Sequence, residues 1–407
     1  MAQQLELDLF SEVLHAYSGP RCGAITNADL YQTVASRCAI PDAALRERVP
    51  VGVAGQPCNP LSRKIRWYQQ TLKHAGIIER VPGERGVWQL TNPASKELSQ
   101  IQTGVAVLGF STDLGIAILG SAENVFSRID APIVLCVTSP PYPLAKSRWY
   151  GNVPESVYVD WLCKTLEPLV KNLANGGSIC LNISNDIFEK GLPSRSLYRY
   201  RLVLALHERL GLHLMDDLVW HNPSKPPGPV QWASNNRYQL NAGYEPVLWM
   251  TNNPQAVRSN NQRVLQEHTE AHLKLIQSGG EKREASYCDG AYILKKGSYS
   301  KPTTGKIPKN VLSIGHTCAD QRRYKRAAQA AGLPSHGAPM PLKLAEFLVN
   351  FLSEPGDLVV DGFAGSFTTA KAAENLGRRW IATDIIAEYV MGGASRFEQA
   401  QGFARHI

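Results

Sequence analysis

The sequence predicts an α/β protein built on a doubly wound, mixed sheet, preceded by a separate N-terminal module of winged-helix type. Three observations carry this expectation. From about Gly104 onward, short continuous apolar runs alternate with stretches of helical periodicity, the pattern of buried strands joined by crossover helices. Two segments rich in chemically distinctive residues each follow directly on such a run. The first hundred residues break the alternation, with amphipathic helical patterns and then a hairpin signal.

In that first module a helical stretch covers about Leu5–Tyr17, and a second helix starts at Thr26 or Asn27, both suited to N-capping. Within Leu61–Ala75, Leu61, Ile65, Tyr68 and Leu72 recur at helical spacing, with Arg63, Lys64, Arg66 and Lys73 largely opposite. From Gly76 to Thr91, two short apolar segments flank Pro82-Gly83-Glu84-Arg85-Gly86, which signals a hairpin. Helices followed by a hairpin at this spacing fit a winged helix. Two uses stay open for it: duplex contact through the basic helix face, or packing and oligomerisation with that face merely solvated.

Farther along, Ile133–Val137 reads as a strand buried on both faces. Val157–Leu173 has helical periodicity, and Gly176-Gly177 opens a strand at Ser178–Ile183. A helix over Arg199–Leu210 precedes strands at Leu214–Trp220 and Glu245–Met250. The interval Trp232–Lys309 is otherwise polar, Asn-rich and irregular. The last hundred residues give a helix at Leu342–Leu352, a strand at Leu358–Asp361, a helix at Thr368–Leu376 and a strand at Arg379–Asp384. This divides the chain into 1–100, 104–231, 232–309 and 310–407.

Composition narrows the function classes. No apolar run in the 407 residues approaches the length of a membrane helix, and the polar, acidic start does not read as a signal peptide. The eight cysteines form no Cys-x-x-Cys pair, which suits reduced thiols in a cytoplasm better than disulfides or a zinc site. The ten histidines show no paired ligand spacing, so no metal is expected. A formal net charge of +8 favours a polyanionic partner. Between Thr251 and Asn310 there are ten Lys and Arg against five Asp and Glu, a local excess of +5.

Thr138-Ser139-Pro140-Pro141-Tyr142 follows the buried strand directly, and open α/β sheets bind ligands just beyond the C-terminal ends of their strands. Two consecutive prolines stiffen the backbone and leave carbonyls without amide partners nearby. A rigid carbonyl beside a serine hydroxyl makes two close acceptors, and a tyrosine ring adds a stacking face. That set meets the needs of an unstacked base. The plainer reading is a proline-rich turn with Tyr142 packed into the core.

Asp361-Gly362-Phe363-Ala364-Gly365-Ser366 also follows a strand and opens a helix. Small residues there let backbone amides approach a ligand. The next strand ends in Asp384, placed to bond ribose hydroxyls. The plainer reading is a tight turn with Asp384 as a cap, and the lack of GxGxxG spacing disfavours a dinucleotide.

Together the two motifs resemble those of the amino-methyltransferases of DNA, in the permuted order where the catalytic motif precedes the cofactor motif. Thr138–Tyr142 is similar to that family's (D/N/S)PP(Y/F), and Asp361–Thr369 to its DPFxGSGTT. Ile118–Phe126, His336–Pro341 and Trp220–Pro226 resemble further family segments. Asp217–Trp232, with Tyr150–Asn152 and Lys190–Tyr200, is similar to cytosine-N4 methyltransferases of restriction–modification systems. The likeness spans roughly Gly104–Phe397.

It implies the methyltransferase version of the Rossmann-like sheet, with S-adenosyl-L-methionine as cofactor and double-stranded DNA as substrate. It also implies a cognate restriction endonuclease as partner. Ser139, Pro140, Pro141 and Tyr142 would face the target base. Asp361, Phe363, Ala364, Gly365, Ser366, Thr368, Asp384 and His336 would surround the cofactor. Serine at the first motif position is usual for cytosine-N4 enzymes, whereas adenine-N6 enzymes carry Asp or Asn.

Permuted relatives place target recognition between the two motifs. There Asn235, Asn236, Arg237 and Gln239 suit base edges, while Lys295 and Lys296 suit phosphates. Rival readings are an adenine-N6 enzyme, a catalytically silent DNA-binding protein, and a methyltransferase for RNA or protein glutamine. Three departures from the family pattern stand out: Gly362 for Pro, Ser121 for Asp and Phe367 for Gly. Phe367 either crowds the cofactor or packs beneath the loop.

Overall fold

The computed structural model describes residues 12–13, 16–17, 24–51, 56–74, 78–81, 83–90, 99–144 and 153–407. Most of the expected helix at Leu5–Tyr17, and Tyr150–Asn152, lie outside them. The N-terminal elements run β1 (Ile25–Thr26), α1 (Asn27–Arg37), α2 (Asp42–Arg46), β2 (Val49–Val51), β3 (Gln56–Cys58), α3 (Pro60–His74), β4 (Ile78–Arg80) and β5 (Val87–Leu90). Thr26 caps α1 by accepting from the Asp29 amide at 3.1 Å. Strands β1, β5 and β4 form an antiparallel sheet in that order. Leu30, Val34, Ile65, Tyr68, Leu72, Ile78 and Trp88 are its shared core. Arg63, Arg66 and Lys73 of α3 point to solvent. Three helices on a small sheet with a β4–β5 wing is the winged-helix arrangement the sequence predicts.

The rest of the chain builds one ten-stranded sheet. In chain order its surroundings are β6 (Val107–Ser111), β7 (Gly115–Leu119), α4 (Ala122–Phe126), β8 (Ile133–Thr138), α5 (Glu155–Lys171), β9 (Leu173–Asn182) and α6 (Tyr198–Leu210). Then come β10 (His213–His221), β11 (Tyr244–Thr251), α7 (Glu270–Gln277), β12 (Ala285–Tyr287), β13 (Tyr292–Leu294), β14 (Val311–Ser313) and α8 (Ala319–Ala330). Last are α9 (Leu342–Leu352), β15 (Leu358–Asp361), α10 (Thr368–Asn375), β16 (Arg379–Asp384), α11 (Ala387–Ala394) and β17 (Ala404–Arg405). The order across the sheet is β14-β10-β11-β9-β8-β15-β16-β7-β6-β17. Strands β9, β8, β15, β16 and β7 are mutually parallel, and the antiparallel pairs lie toward the edges.

Helices cover both faces of this sheet. Phe126, Tyr158, Leu162, Leu166, Leu202 and Leu206 of α4, α5 and α6 bury one side. Leu344, Leu348, Ala370, Ala373 and Val390 of α9, α10 and α11 bury the other. The central strand β8 is accordingly buried along its whole length, all six residues of Ile133–Thr138.

Three departures from the sequence reading have clear causes. Strand β9 begins at Leu173, ahead of the two glycines, because Gly176 sits at φ +74° inside an irregularity of the β8–β9 ladder. A Cβ at Gly176 would lie 1.7 Å from the Ala256 carbonyl oxygen. The interval 232–309 is divided by β11, a central strand of the sheet, into one excursion between β10 and β11 and another after β11. The second holds α7 and the β12–β13 hairpin and is thus more regular than its polarity suggests.

A short strap joins the two parts of the chain. Ser99 and Ile101 pair with the segment just after β16, through Ile101 N to Ile385 O at 2.9 Å and Ala387 N to Ser99 O at 3.0 Å. The Ser99 amide also donates to both carboxylate oxygens of Glu388, at 3.0 and 3.1 Å.

Candidate active site

Every element that the sequence singled out for chemistry ends on the C-terminal edge of the parallel strands. Strand β8 delivers Ser139–Tyr142, β15 delivers Asp361–Ser366, and β16 delivers Asp384. Strands β8 and β15 are paired neighbours, with Val360 opposite Cys136, so the two loops emerge side by side. The Thr138 hydroxyl donates to Asp361 Oδ1 at 2.6 Å, both residues being buried. The Thr369 hydroxyl, in the first turn of α10, donates to the Val137 carbonyl at 3.0 Å. These two bonds lock the loops in register.

At the β8 end, Ser139 Oγ lies 3.1 Å from the Tyr142 hydroxyl. That hydroxyl is 3.2 Å from Glu245 Oε2 and 3.3 Å from Asn182 Oδ1. Both of those oxygens only accept, so the tyrosine proton is directed at one of them. With the tyrosine proton so directed, the tyrosine oxygen is free to accept the serine proton, an arrangement in which the Ser139 lone pairs are available as acceptors. Lys225 Nζ holds the far oxygen of Glu245 at 3.3 Å and Asp186 at 3.4 Å, and Arg195 pairs with the same aspartate at 2.8 Å. Burial, then the nearby Glu245 charge, push the Tyr142 phenol well above its usual range. It stays protonated and can keep this orientation.

The loop after β15 is built differently. Asp361 spends Oδ1 on Thr138 and on the Phe363 amide, at 2.6 and 3.0 Å. Asp384 accepts the Gly365 amide on one oxygen at 2.7 Å and the Ile386 amide on the other at 2.9 Å. The Ile385 amide adds a further backbone contact to the same carboxylate. Burial raises both carboxyls to about 6. Gly365 has φ +51°, and a Cβ there would sit 3.1 Å from the His336 ring. His336 packs edge-on to Tyr389 at 5.0 Å, and burial, helped by Lys325, lowers its imidazole to about 4. It is neutral near pH 7. Phe363 is half-buried, its ring 5.6 Å from Trp161.

Phe367 packs beneath the loop. It is fully buried, 5.2 Å from the Phe110 ring, in a cluster with Phe397 and Trp380. Its backbone is left-handed, φ +61°, where glycine is usual. The room below comes from Gly393, whose Cβ would lie 2.5 Å from the Phe367 ring. Ser121, another departure from the family pattern, caps α4 by accepting from the Asn124 amide.

The sequence reading did not find the braces behind the loop. Arg396 is buried, and its guanidinium donates to the Ser366 carbonyl at 2.6 Å and to the Thr368 hydroxyl at 2.9 Å. Its other end pairs with buried Asp320, and the Tyr324 ring lies 5.9 Å away. Thr368 therefore faces inward. Asp320 and Tyr324 come from α8, a helix with so few apolar residues that periodicity gives it no signal.

The proposed DNA-reading residues fall on two separate excursions. Asn235, Asn236 and Arg237 are exposed on the β10–β11 loop. Gln239 is half-buried and gives its amide to the Pro193 carbonyl at 3.1 Å, which removes one of its donors from the surface. Lys295 and Lys296 are exposed after the β12–β13 hairpin. Two of the cations counted in the basic interval are tied to the body: Arg258 pairs with Asp357 and Arg263 with Glu354.

With this geometry in place, likeness to known proteins can be weighed. The DNA methylase family matches residues 133–394, and the Mrr N-terminal domain matches residues 8–100. Type II methyltransferase M.PvuII of Proteus hauseri is 32% identical over 71% of this chain and 85% of that enzyme. DNA adenine methyltransferase YhdJ of Escherichia coli K12 is 23% identical over 75% of this chain and 90% of that enzyme. Among solved structures, PvuII DNA methyltransferase (cytosine-N4-specific) superimposes with a TM-score of 0.56 and 28% identity, over 70% of this chain and 87% of that one.

The Arg396 brace gives a direct test. Asp320→Ala leaves a buried guanidinium without its counter-charge, which should lower stability by about 3–5 kcal/mol in chemical denaturation. A loss under about 1 kcal/mol, the size of an exposed pair, would show that the pair does not brace the loop.

Proposed function

The chain belongs to the DNA methylase family, and we propose that it moves a methyl group from S-adenosyl-L-methionine to N4 of a flipped-out cytosine at a specific duplex site. The observation that supports this most is the chain of contacts from Ser139 Oγ to the Tyr142 hydroxyl and on to Glu245, at 3.1 and 3.2 Å. With the protons directed along that chain toward Glu245, Ser139 Oγ is left to accept from a base. The residues around Asp384 fit the cofactor: Gly365, at φ +51°, lets the loop lie close against the His336 ring, and the Asp384 carboxylate, held by backbone amides, can accept from a ribose hydroxyl. That cofactor, when bound, supplies a methyl group on a positively charged sulfur.

The protein's own part is orientation and proton handling. The N4 lone pair of cytosine is delocalised into the ring and is weakly nucleophilic. Accepting its two N–H groups on Ser139 Oγ and the Pro140 carbonyl favours a more pyramidal nitrogen, aimed along the transfer direction. Transfer leaves that nitrogen with a surplus proton. Ser139 Oγ is the nearest acceptor, and the Tyr142 hydroxyl and Glu245 carboxylate continue the path away from the base. No step needs a covalent bond between protein and base.

Adenine N6 is the second reading, favoured by the likeness to a DNA adenine methyltransferase. Serine rather than Asp or Asn at position 139 argues for cytosine. Recognition of the site is assigned to the β10–β11 loop and the excursion after β11. The N-terminal module would add phosphate contacts through α3, and a cognate endonuclease would share the site.

Four outcomes test these assignments. Ser139→Ala and Tyr142→Ala should each cut turnover at least about a hundredfold in a tritiated-methyl assay while cofactor binding is retained. Wild-type turnover by either variant would remove the base-pocket assignment.

Asp384→Ala should weaken cofactor binding by about 1.5–3 kcal/mol in calorimetry. Because burial raises the Asp384 carboxyl to about 6, its charge is present above that pH and lost below it. Wild-type affinity should therefore fall as pH drops through about 6, and Asp384→Asn should flatten the profile. A wild-type profile that is flat from pH 5 to pH 8, about a unit or more either side, means that the carboxylate does not touch the ligand.

Long-read sequencing of host DNA with and without the gene reports both the modified base and its motif. N6-methyladenine in place of N4-methylcytosine would decide for the second reading. Deletion of residues 1–90 should preserve the motif but weaken DNA binding and make its salt dependence shallower, as phosphate contacts are lost. A changed motif from a folded truncation would move recognition to the N-terminal module.

A further inference from the structure

The β10–β11 loop carries the most exposed large apolar side chain among the described residues, Leu240, at 88% exposure, with Tyr238 at 68% two residues before it. Strand β11 runs antiparallel to β9 and β10 antiparallel to β11. The loop between them, 222–243, therefore leaves the sheet on the same edge as Ser139–Tyr142. Its inner end is wired to the base pocket: Lys225 holds Glu245, and Glu245 accepts from Tyr142. Its outer end is the apolar one.

The backbone that carries these side chains is held by several hydrogen bonds. The amides of Tyr238 and Gln239 both donate to the Trp232 carbonyl, at 2.8 and 3.1 Å. Gln239 bonds the Pro193 carbonyl on the neighbouring loop, next to exposed Leu192. Ala242 N to Gly228 O at 2.7 Å and Asn222 N to Gly243 O at 2.9 Å close the base of the loop. Arg237 takes a left-handed turn at φ +62°, immediately before Tyr238.

A base taken from the stack leaves an apolar gap between its neighbours, and extrusion has to meet the cost of unstacking and unpairing. Proteins that open duplex steps insert apolar wedges into them. A hydrogen-bonded loop that displays a leucine and a tyrosine on the same edge of the sheet as Ser139–Tyr142 has the form required. We propose that Leu240, flanked by Tyr238, enters the duplex and fills the place vacated by the target base. The proposal rests on the flipped-base reading above. Asn235, Asn236 and Arg237, exposed on the same loop, would then lie against the adjoining base edges and phosphates. Leu240 is a positioning residue in this scheme, since it acts on the stack and not on the reacting nitrogen.

The test uses the full-length protein and two duplexes carrying the sequenced motif, one fully paired and one with an abasic site opposite the target base. Single-turnover methylation by Leu240→Ala should be about tenfold slower than wild type on the paired duplex. On the abasic duplex it should return to within about twofold, because extrusion there costs little. Leu240→Met should keep the wild-type rate on both. Equal loss on the two duplexes, or no loss on either, overturns the wedge. Failure of the wild-type protein to methylate the abasic duplex, while it methylates the paired one, also overturns it. Failure of the wild type on both duplexes overturns the methyl-transfer reading itself.

Discussion

Thr138 ends the strand that presents Ser139–Tyr142, and Asp361 ends the strand beside it that presents the loop through Ser366. The 2.6 Å hydrogen bond between their side chains is the constraint on which the rest of the site depends. Methyl transfer requires two loops from distant parts of the chain to be placed within an ångström or so of a productive geometry. Backbone pairing of β8 with β15 fixes their spacing, but a parallel ladder says nothing about the loops beyond its last rung. The Thr138–Asp361 bond, with Thr369 on the Val137 carbonyl, extends the register by one more step. Because Asp361 is buried and accepts the Phe363 amide as well, the same carboxylate sets the first turn of the cofactor loop.

Behind that contact the protein invests in charge where packing alone would serve for stability. Arg396 and Asp320 are both buried, and burying such a pair is seldom a net gain in free energy. What the pair provides is direction: the planar guanidinium reaches the Ser366 carbonyl and the Thr368 hydroxyl together, so it fixes the loop from its buried side. The strap at Ser99–Ile101 has a related effect on the other flank. It hydrogen-bonds the residues that follow Asp384, so the segment that leads out of the N-terminal module is also part of the site's outer wall.

Much of this was legible in the sequence, for physical reasons that can be named. Strands such as Ile133–Thr138 and Leu358–Asp361 are covered on both faces, so they read as unbroken apolar runs. The two loops announce themselves through proline pairs and small residues at strand ends. Helix α8 was not legible, because only Tyr324 and Ala328 give it an apolar buried contact while Asp320 and Gln321 are buried as polar groups. Likewise Glu245, Lys225 and Asn182 gather around Tyr142 only through the antiparallel pairing of β11 with β9 and β10. No local pattern encodes that meeting. The Gln239 contact with Pro193 was equally hidden, since composition marks an amide as available but not as already engaged.

Phe367 and Gly393 show how such a site limits its own history. The phenylalanine occupies a left-handed backbone position and fills the space that Gly393 leaves open. A β-carbon at 393 collides with the ring, and a glycine at 367 empties the hollow beneath the loop. Neither position can change first without loss, although a compensated pair is sterically sound. The two positions are therefore sterically coupled, so that a side chain at 393 calls for a smaller residue at 367.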